Sequence, residues 1–188
     1  MADFFELLKT RRSIRSFEEK ELPLSLIKEI INDSILAPSA SNNQPWRFII
    51  INDRDMIKRL SDESKRNLLR VIEGNPDAPK NYELILRNKE FNVFYNAPCL
   101  VIIVGKRDVI SLDVDCALAA GYFMFSAAAR GLGTCWVNLG ADLRDPEILE
   151  EIGMPDDCRI VAPIILGYPR IIPDIRPRNE PQILKIIS

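Results

Sequence analysis

One segment of the sequence, from about Asp113 to Arg130, predicts a helix that is apolar on nearly every side. Such a helix has too little polar circumference to lie on a surface, so it must be enclosed by the core or by a second subunit. Its nearly uncharged part, Cys116 to Ala129, is shorter than the roughly 20 residues that span a bilayer. We therefore expect a soluble protein with no membrane partner.

Apolar runs rich in β-branched residues predict the strands around this helix. Trp46–Ile51, Cys99–Val104 and Ile160–Leu166 have the length of buried strands, and Thr134–Val137 reads as a shorter one. Helical spacing and turn residues predict four further helices. These begin near Phe4, with Asp3 and Glu6 at capping-box spacing, and run from about Pro23 to Leu36, Asp53 to Leu69 and Asp145 to Gly153. The order of these strands and helices along the chain predicts helices on both faces of a mixed sheet.

The chain of 188 residues has no visible repeat or low-complexity linker, which favours a single domain over 1–188. Two segments depart from the regular pattern. Residues 70–92 combine turn signals with a further helix and form a candidate lid insertion. Residues 167–188 carry prolines and arginines and are expected to be extended rather than packed locally.

Composition excludes several kinds of chemistry. The chain contains no histidine, which removes Ser-His and Cys-His catalysis and histidine metal sites, and points instead to a bound organic cofactor. A net charge of -2 gives no basic surface for nucleic acid. Four widely spaced cysteines without a CxxC pair indicate reduced thiols in a cytoplasmic protein. The first residues are acidic and lack an apolar run, unlike a signal peptide.

Three polar segments interrupt the apolar pattern. In Arg11–Phe17 (RRSIRSF), guanidinium and hydroxyl groups would suit a phosphate, although a solvated basic turn is an equal alternative. Ala37–Trp46 (APSASNNQPW) could present amides to a planar heterocycle, or simply connect a helix to a strand. In Gly131–Gly140 (GLGTCWVNLG), glycines allow a ligand close to the backbone, or only a cap and a tight turn. No GxxxxGK[ST] phosphate loop is present.

Taken together, RRSIRSF, PSASNNQPW and GLGTCW, in that order and followed by an Arg-Pro-Arg cluster, resemble the nitroreductase superfamily from about residue 4 to residue 178. The resemblance implies an α+β fold with three α-β-α layers and a mixed, mainly antiparallel sheet. It also implies an FMN-dependent homodimer with each flavin at the subunit interface. The apolar helix would then be the interface helix, the alternative being the central core helix of a monomer.

The resemblance also implies which residues would hold FMN. Arg11 and Ser13 would bind the phosphate, Arg12 would contribute through its backbone, and Arg15 would face the pyrimidine edge. The partner would supply Pro38, Ser39, Ala40, Ser41 and Asn42, with Gln44 as a further contact. Val137, Asn138 and Leu139 would pass beside flavin N5, although many relatives have glycine here. Arg176 and Arg178 match a basic pair that completes the phosphate site, and Asn67, Asn88 and Asn92 are alternative candidates for one more polar contact.

The implied activity is ping-pong transfer of hydride from NADH or NADPH through flavin N5 to a nitroaromatic, quinone or similar acceptor. No catalytic side chain is required, and Cys135 is expected to be an inert packed thiol rather than a redox group. Two alternatives remain open. A specialised relative would carry out reductive dehalogenation or flavin degradation, for which residues 70–92 contain no recognised signature. A flavin-binding protein without turnover is the other.

Overall fold

In the computed structural model, which describes residues 3–75 and 82–187, helices cover both faces of a four-stranded sheet. The strands are β1 (Arg47–Ile51), β2 (Cys99–Lys106), β3 (Gly133–Trp136) and β4 (Cys158–Gly167), in the order β1-β2-β4-β3. All three pairings between them are antiparallel, and a single bridge between Ser13 and Thr134 is parallel. The α+β class predicted from the sequence is confirmed.

The helices are α1 (Phe4–Thr10), α2 (Leu24–Ser34), α3 (Arg54–Gly74), α4 (Glu83–Arg87), α5 (Leu112–Ala129) and α6 (Pro146–Glu151). They divide into two layers because the central strand β2 is buried on both faces. Val101 and Ile103 pack with α2 and α5, whereas Ile102 and Val104 pack with α3 and α6. Alternation along one strand therefore creates two separate cores.

The apolar helix α5 lies on the first of these faces. Cys116, Ala119, Phe123 and Ala127 are fully buried against α2 and the sheet. Among the described residues, α5 is the one helix whose length and composition would allow it to cross a membrane. The helix has 18 residues and is therefore longer than its nearly uncharged run, Cys116 to Ala129. Its packing onto the sheet is that of a core helix, but Val114, Leu118 and Tyr122, one turn apart on the opposite side of the helix, are exposed.

Three local expectations need correction. β1 was expected to be buried, but it is an edge strand and only Ile51 is buried, because only one neighbouring strand covers it. The side chain of Asp3 accepts no capping hydrogen bond, and α1 buries none of its residues. α3 continues to Gly74 rather than ending near Leu69, although its start is as predicted, with Asp53 Oδ1 accepting from Met56 N at 2.7 Å.

The two atypical segments are only partly regular. The end of α3 and the short helix α4 form the described parts of the candidate lid, and residues 76–81 of that lid lie outside the described residues. Residues 171–187 contain neither helix nor strand, and every one of them is exposed. Apolar side chains such as Ile183, Leu184 and Ile187 are among those exposed in this tail.

Candidate functional site

The basic segment that contains Arg11 and Arg15 runs beside β3. Ile14 N donates to the carbonyl oxygen of Thr134 at 2.9 Å. A Cβ atom on Gly133 would lie 2.7 Å from Cβ of Ile14, so only glycine permits this approach. The close packing of Ile14 on β3 fixes the side chains on either side of it at the edge of the sheet.

Arg11 and Arg12 bring buried cationic groups to this edge without acceptors. Within residues 3–75 and 82–187, Arg11 Nη1 and Arg12 Nε and Nη2 are buried and have no hydrogen-bond partner. Arg12 Nη1 donates to the carbonyl oxygen of Arg11 at 2.7 Å, and the Arg11 guanidinium lies 5.9 Å from the centroid of the Phe125 ring. Buried donors of this kind are costly unless a ligand or partner supplies an acceptor.

The charge environment of Arg11 locates two other predicted residues. Burial lowers the pKa of Arg11, nearby Cys135 acts in the opposite direction, and the positive charges of Arg12 and Arg178 lower it further. Arg178 is thus near enough to act on Arg11 electrostatically, but its role at the phosphate site, like that of Arg176, stays a prediction. Burial is the main cause of the lowered pKa of Arg11, and a phosphate dianion would offset both the burial of this charge and the nearby positive charges.

The segment after β3 turns sharply beside this cluster. Val137 N donates to the carbonyl oxygen of Pro163 at 2.9 Å, and a 3-10 turn follows over Asn138–Ala141. The backbone N–H groups of Asn138 and Leu139 begin this turn and have no acceptor inside it. The hydroxyl of Ser64, on α3, donates to the carbonyl oxygen of Leu139 and thereby attaches the turn to α3.

A cavity of about 490 Å³ opens between this turn, Arg15 and the chain before β2. Of the predicted site residues, Arg15, Val137, Asn138 and Leu139 line it. Sequence motifs did not identify the wall residues Leu68, Tyr82 and Tyr95, which come from elements far apart in the chain. Cys135 is buried but also lines the cavity, so the inert thiol expected from the sequence stays a prediction.

The loop before β1 lies elsewhere in the subunit. Ala40 N donates to Oδ1 of the buried Asp115 at 3.0 Å, which ties the loop to the first turn of α5. Gln44 N donates to Ser39 Oγ at 3.0 Å, and Ser41 has a φ of 50°. None of Pro38, Ser39, Ala40, Ser41, Asn42 or Gln44 lines the cavity.

The separation of the two predicted binding segments follows from the length of α5. The loop is attached at Asp115, whereas Arg11 packs on Phe125, ten residues farther along the helix. At 1.5 Å per residue these points are about 15 Å apart along the axis. A single subunit therefore does not bring the loop and the basic segment together.

The three candidate asparagines all serve the protein's own loops. Asn67 Nδ2 donates to Glu63 Oε1 at 2.8 Å and to the carbonyl oxygen of Asp142 at 3.0 Å. Asn88 Oδ1 accepts from the backbone N of Glu90, and Asn92 Oδ1 accepts from that of Phe94. None of the three lines the cavity, so a contact with a ligand there remains a prediction.

Comparisons with known proteins agree with this geometry. The profile of the nitroreductase family matches residues 8–168. A protein of Archaeoglobus fulgidus with the provisional name NADH dehydrogenase/NAD(P)H nitroreductase is 26% identical over 90% of this chain and 87% of its own. An iodotyrosine deiodinase of Thermotoga neapolitana is 26% identical over 96% of both chains.

The fold is also shared with solved structures. A nitroreductase with bound FMN from Bacteroides fragilis superposes with a TM-score of 0.81 at 23% sequence identity, and the match covers 100% of both chains. The family match spans most of the sequence and includes the basic segment beside β3, the loop before β1 and the turn after β3. The chain belongs to the nitroreductase family.

Proposed function

We propose that this protein is an FMN-dependent oxidoreductase that passes hydride equivalents from NADH or NADPH to nitroaromatic, quinone or similar acceptors by a ping-pong mechanism. The observation that carries the proposal is the group of buried, unpartnered guanidinium nitrogens on Arg11 and Arg12, in the same basic segment whose Arg15 lines a cavity of about 490 Å³. The provisional nitroreductase name of the Archaeoglobus fulgidus relative and the FMN of the Bacteroides fragilis structure support it.

The residues at the site fit FMN chemically. Its phosphate would provide acceptors for Arg11 and Arg12, with Ser13 and Arg178 completing the cluster. The isoalloxazine ring would lie along the 3-10 turn, where the N–H groups of Asn138 and Leu139 are available to a ring nitrogen. Arg176 is proposed to contribute at the outer edge of the phosphate site.

Bound FMN would supply the hydride chemistry at its N5 atom, and the protein would bind, orient and stabilise charge. Arg15 brings a guanidinium to the cavity, where it would stabilise the negative charge that reduction places at the pyrimidine edge. Val137 is buried and lines the cavity beside the turn, where its side chain would limit the access of water to the flavin. Donor and acceptor would use the same cavity in turn. The proton that an acceptor takes up with the hydride would come from water, so no histidine or other dedicated acid is needed.

We further propose that the working form is a homodimer built on the outer face of α5. An apolar groove of about 830 Å³ runs along this face, between α1 and α2, and includes Phe4, Leu36, Leu118 and Tyr122. These side chains are between 40% and 72% exposed, and exposed apolar surface of this extent commonly marks an interface.

The α5 geometry supports a two-fold arrangement of the proposed dimer. If two α5 helices pack antiparallel about a two-fold axis, the first turn of one lies beside the last turns of the other. The loop held by Asp115 in one subunit would then approach Arg11 and Phe125 of the second. Residues Pro38 to Asn42, together with Gln44, would thus complete the flavin site from the partner, which explains their distance from it within one subunit.

A cytoplasmic location completes the proposal. All four cysteines are unpaired and buried. Burial raises the pKa of the Cys99 and Cys116 thiols to about 12, so both are protonated and unreactive at neutral pH. Thiols of this kind are typical of a protein that folds in a reducing compartment.

The test is an absorbance spectrum of the purified protein incubated with FMN, followed by anaerobic addition of NADH and then NADPH. Flavin bands that either nucleotide bleaches, and that recover when a quinone is added, are the expected result. A protein that stays colourless after incubation with FMN would exclude the flavin site. Bound flavin that neither nucleotide bleaches would favour a binding protein without turnover.

Reductive dehalogenation is a second candidate, because the Thermotoga neapolitana relative is named as an iodotyrosine deiodinase and matches along 96% of both chains. The described parts of the segment before β2 place Tyr82 and Tyr95 at the cavity, where they could flank an aromatic substrate. Anaerobic reduction of the bound flavin, followed by addition of 3-iodotyrosine, distinguishes a dehalogenase from a nitroreductase or quinone reductase. Iodide release faster than quinone reduction would favour the dehalogenase.

A further inference from the structure

The turn between α4 and β2 has an unusual backbone. Tyr95 and Asn96 have φ angles of 55° and 51°, in the left-handed region that residues other than glycine rarely adopt. Two consecutive residues persist there only where the surrounding structure over-determines the chain. The cavity wall is therefore built on a turn whose conformation is enforced from outside.

Several contacts enforce it. Val93 N donates to Ser61 Oγ on α3 at 2.9 Å, and Phe94 N donates to Asn92 Oδ1 at 2.8 Å. Val93 and Phe94 are fully buried. A Cβ atom on Gly140 would collide with the Phe94 ring, so the turn also packs directly on the 3-10 turn after β3. The two turns are fixed relative to each other.

From this anchored turn, Tyr95 presents its ring to Arg15. The guanidinium carbon of Arg15 lies 5.6 Å from the centroid of the Tyr95 ring, within the range of a cation–π contact. Phe91 supports the same ring edge-on, with centroids 5.8 Å apart and planes at 87°. Over the described ranges, Arg15 has no ion pair or side-chain hydrogen bond, so the aromatic face is the contact that orients it.

We propose that Tyr95 is a positioning residue that holds the Arg15 guanidinium at the pyrimidine edge of FMN and thereby favours the reduced, negatively charged flavin. The inference rests on the proposed role of Arg15 in the flavin site. An arginine without a fixed partner samples many rotamers, and its charge is then spread through solvent rather than held at one atom. Tyr95 itself transfers no proton and no electron.

The measurement is the two-electron midpoint potential of the FMN-loaded full chain and of its Tyr95 variants. Tyr95→Leu is expected to shift the ratio of reduced to oxidised flavin, at a fixed applied potential, about two- to fivefold toward the oxidised form. A tenfold change corresponds to about 30 mV for a two-electron couple. Tyr95→Phe keeps the ring and is expected to retain the wild-type potential. Leucine and phenylalanine both carry a Cβ atom, as tyrosine does, so neither substitution relieves the left-handed backbone strain at position 95.

A double-mutant cycle separates this inference from the proposed function. Arg15→Met is itself expected to lower the potential, and in that background Tyr95→Leu is expected to cause no further shift. Equal shifts in both backgrounds would overturn the positioning role. A wild-type potential in Tyr95→Leu, with a lowered one in Arg15→Met, would overturn it while leaving the function of Arg15 intact. Failure of the wild-type chain to bind FMN would overturn both.

Should Tyr95→Leu fail to fold, the comparison of Tyr95→Trp with Tyr95→Phe takes its place. Indole gives the strongest cation–π contact, so the tryptophan variant is expected to have the more positive potential. An unchanged or reversed order would contradict the inference.

Discussion

The arginines of this protein differ sharply in how their charge is satisfied. Arg130 pairs with Asp33 at 2.7 Å, and Arg144 pairs with Asp142 at 2.6 Å. Arg11 and Arg12 instead leave buried nitrogens without an acceptor. Since unsatisfied buried cationic donors destabilise a fold, their retention at one edge of the sheet is best explained by an anionic ligand.

Arg11→Ala is accordingly expected to weaken FMN binding about 10- to 100-fold, because a charge-assisted hydrogen bond contributes roughly 1.5–3 kcal/mol. Fluorescence titration with FMN measures the change. Lys9→Ala is the matched control, since Lys9 is an exposed cation near the end of α1 and pairs with Glu6. Unchanged FMN affinity in Arg11→Ala would contradict the phosphate site.

Glu63 is a second residue whose environment makes a prediction. Burial alone would raise its pKa, but hydrogen bonds from Asn67, Arg66 and the backbone of Arg144 outweigh it and lower the pKa below the ordinary 4.5. Because the folded-state pKa is depressed, the stabilisation is present above about pH 4.5 and is lost as the pH falls through the folded-state value.

Glu63→Gln is therefore expected to reduce the free energy of unfolding at pH 7 by about 1.5–3 kcal/mol. The difference from wild type should shrink as the pH falls below about 4.5. Urea unfolding at several pH values, followed by tryptophan fluorescence, measures both effects. Glu73→Gln removes an exposed carboxylate paired with Arg87 and should change little. A pH-independent difference would rule out the ionised Glu63 network.

At the scale of elements, α5 connects the two segments that the proposal assigns to the flavin site. The buried carboxylate of Asp115 accepts from Ala40 N through Oδ1 and from Ser111 Oγ through Oδ2. The loop before β1 is thus fixed to the start of α5, while the basic segment packs near its end. α5 sets the distance between two groups of residues that the proposed dimer would bring together.

Asp115→Ala is expected to free the loop, so that FMN affinity falls about tenfold or more while the dimer remains intact. FMN titration combined with limited proteolysis near Asn42 measures both consequences. Asp113→Ala provides the control on the same helix, because Asp113 is exposed and pairs with Arg159. Increased proteolysis without loss of FMN affinity would show that the loop is not part of the flavin site.

At the scale of the whole molecule, the proposed dimer would make a complete flavin site depend on the outer face of α5. Leu118→Glu places a charge in the apolar groove and is expected to convert the dimer to a monomer, with loss of bound FMN. Light scattering coupled to size exclusion gives the mass, and absorbance gives the flavin content. Leu84→Glu is the control, since Leu84 is more exposed but lies on α4, on the opposite face of the sheet. A monomeric wild-type protein that binds FMN would refute the interface.

The sequence predicted most of the elements because their signals are local. The β-branched run at Cys99, the Asp53 cap of α3 and the alanine-rich α5 each depend on neighbours within a turn or two of the chain. The polar segments were likewise recognisable as a joint pattern, and the family they indicated is confirmed. Exposure was less predictable, because β1 lies at the edge of the sheet only through the order of the other strands.

Only the tertiary structure decided how the site is assembled. Tyr82 and Tyr95 line the cavity but belong to no motif. Tyr95 reaches it because α3 fixes the turn before β2 and the turn after β3. The loop at Ala40 and the basic segment at Arg11 are both visible in the sequence, but their separation along α5 is not. Local chemistry selects an element and its caps, whereas the distance between side chains from different elements depends on packing that acts across the whole fold.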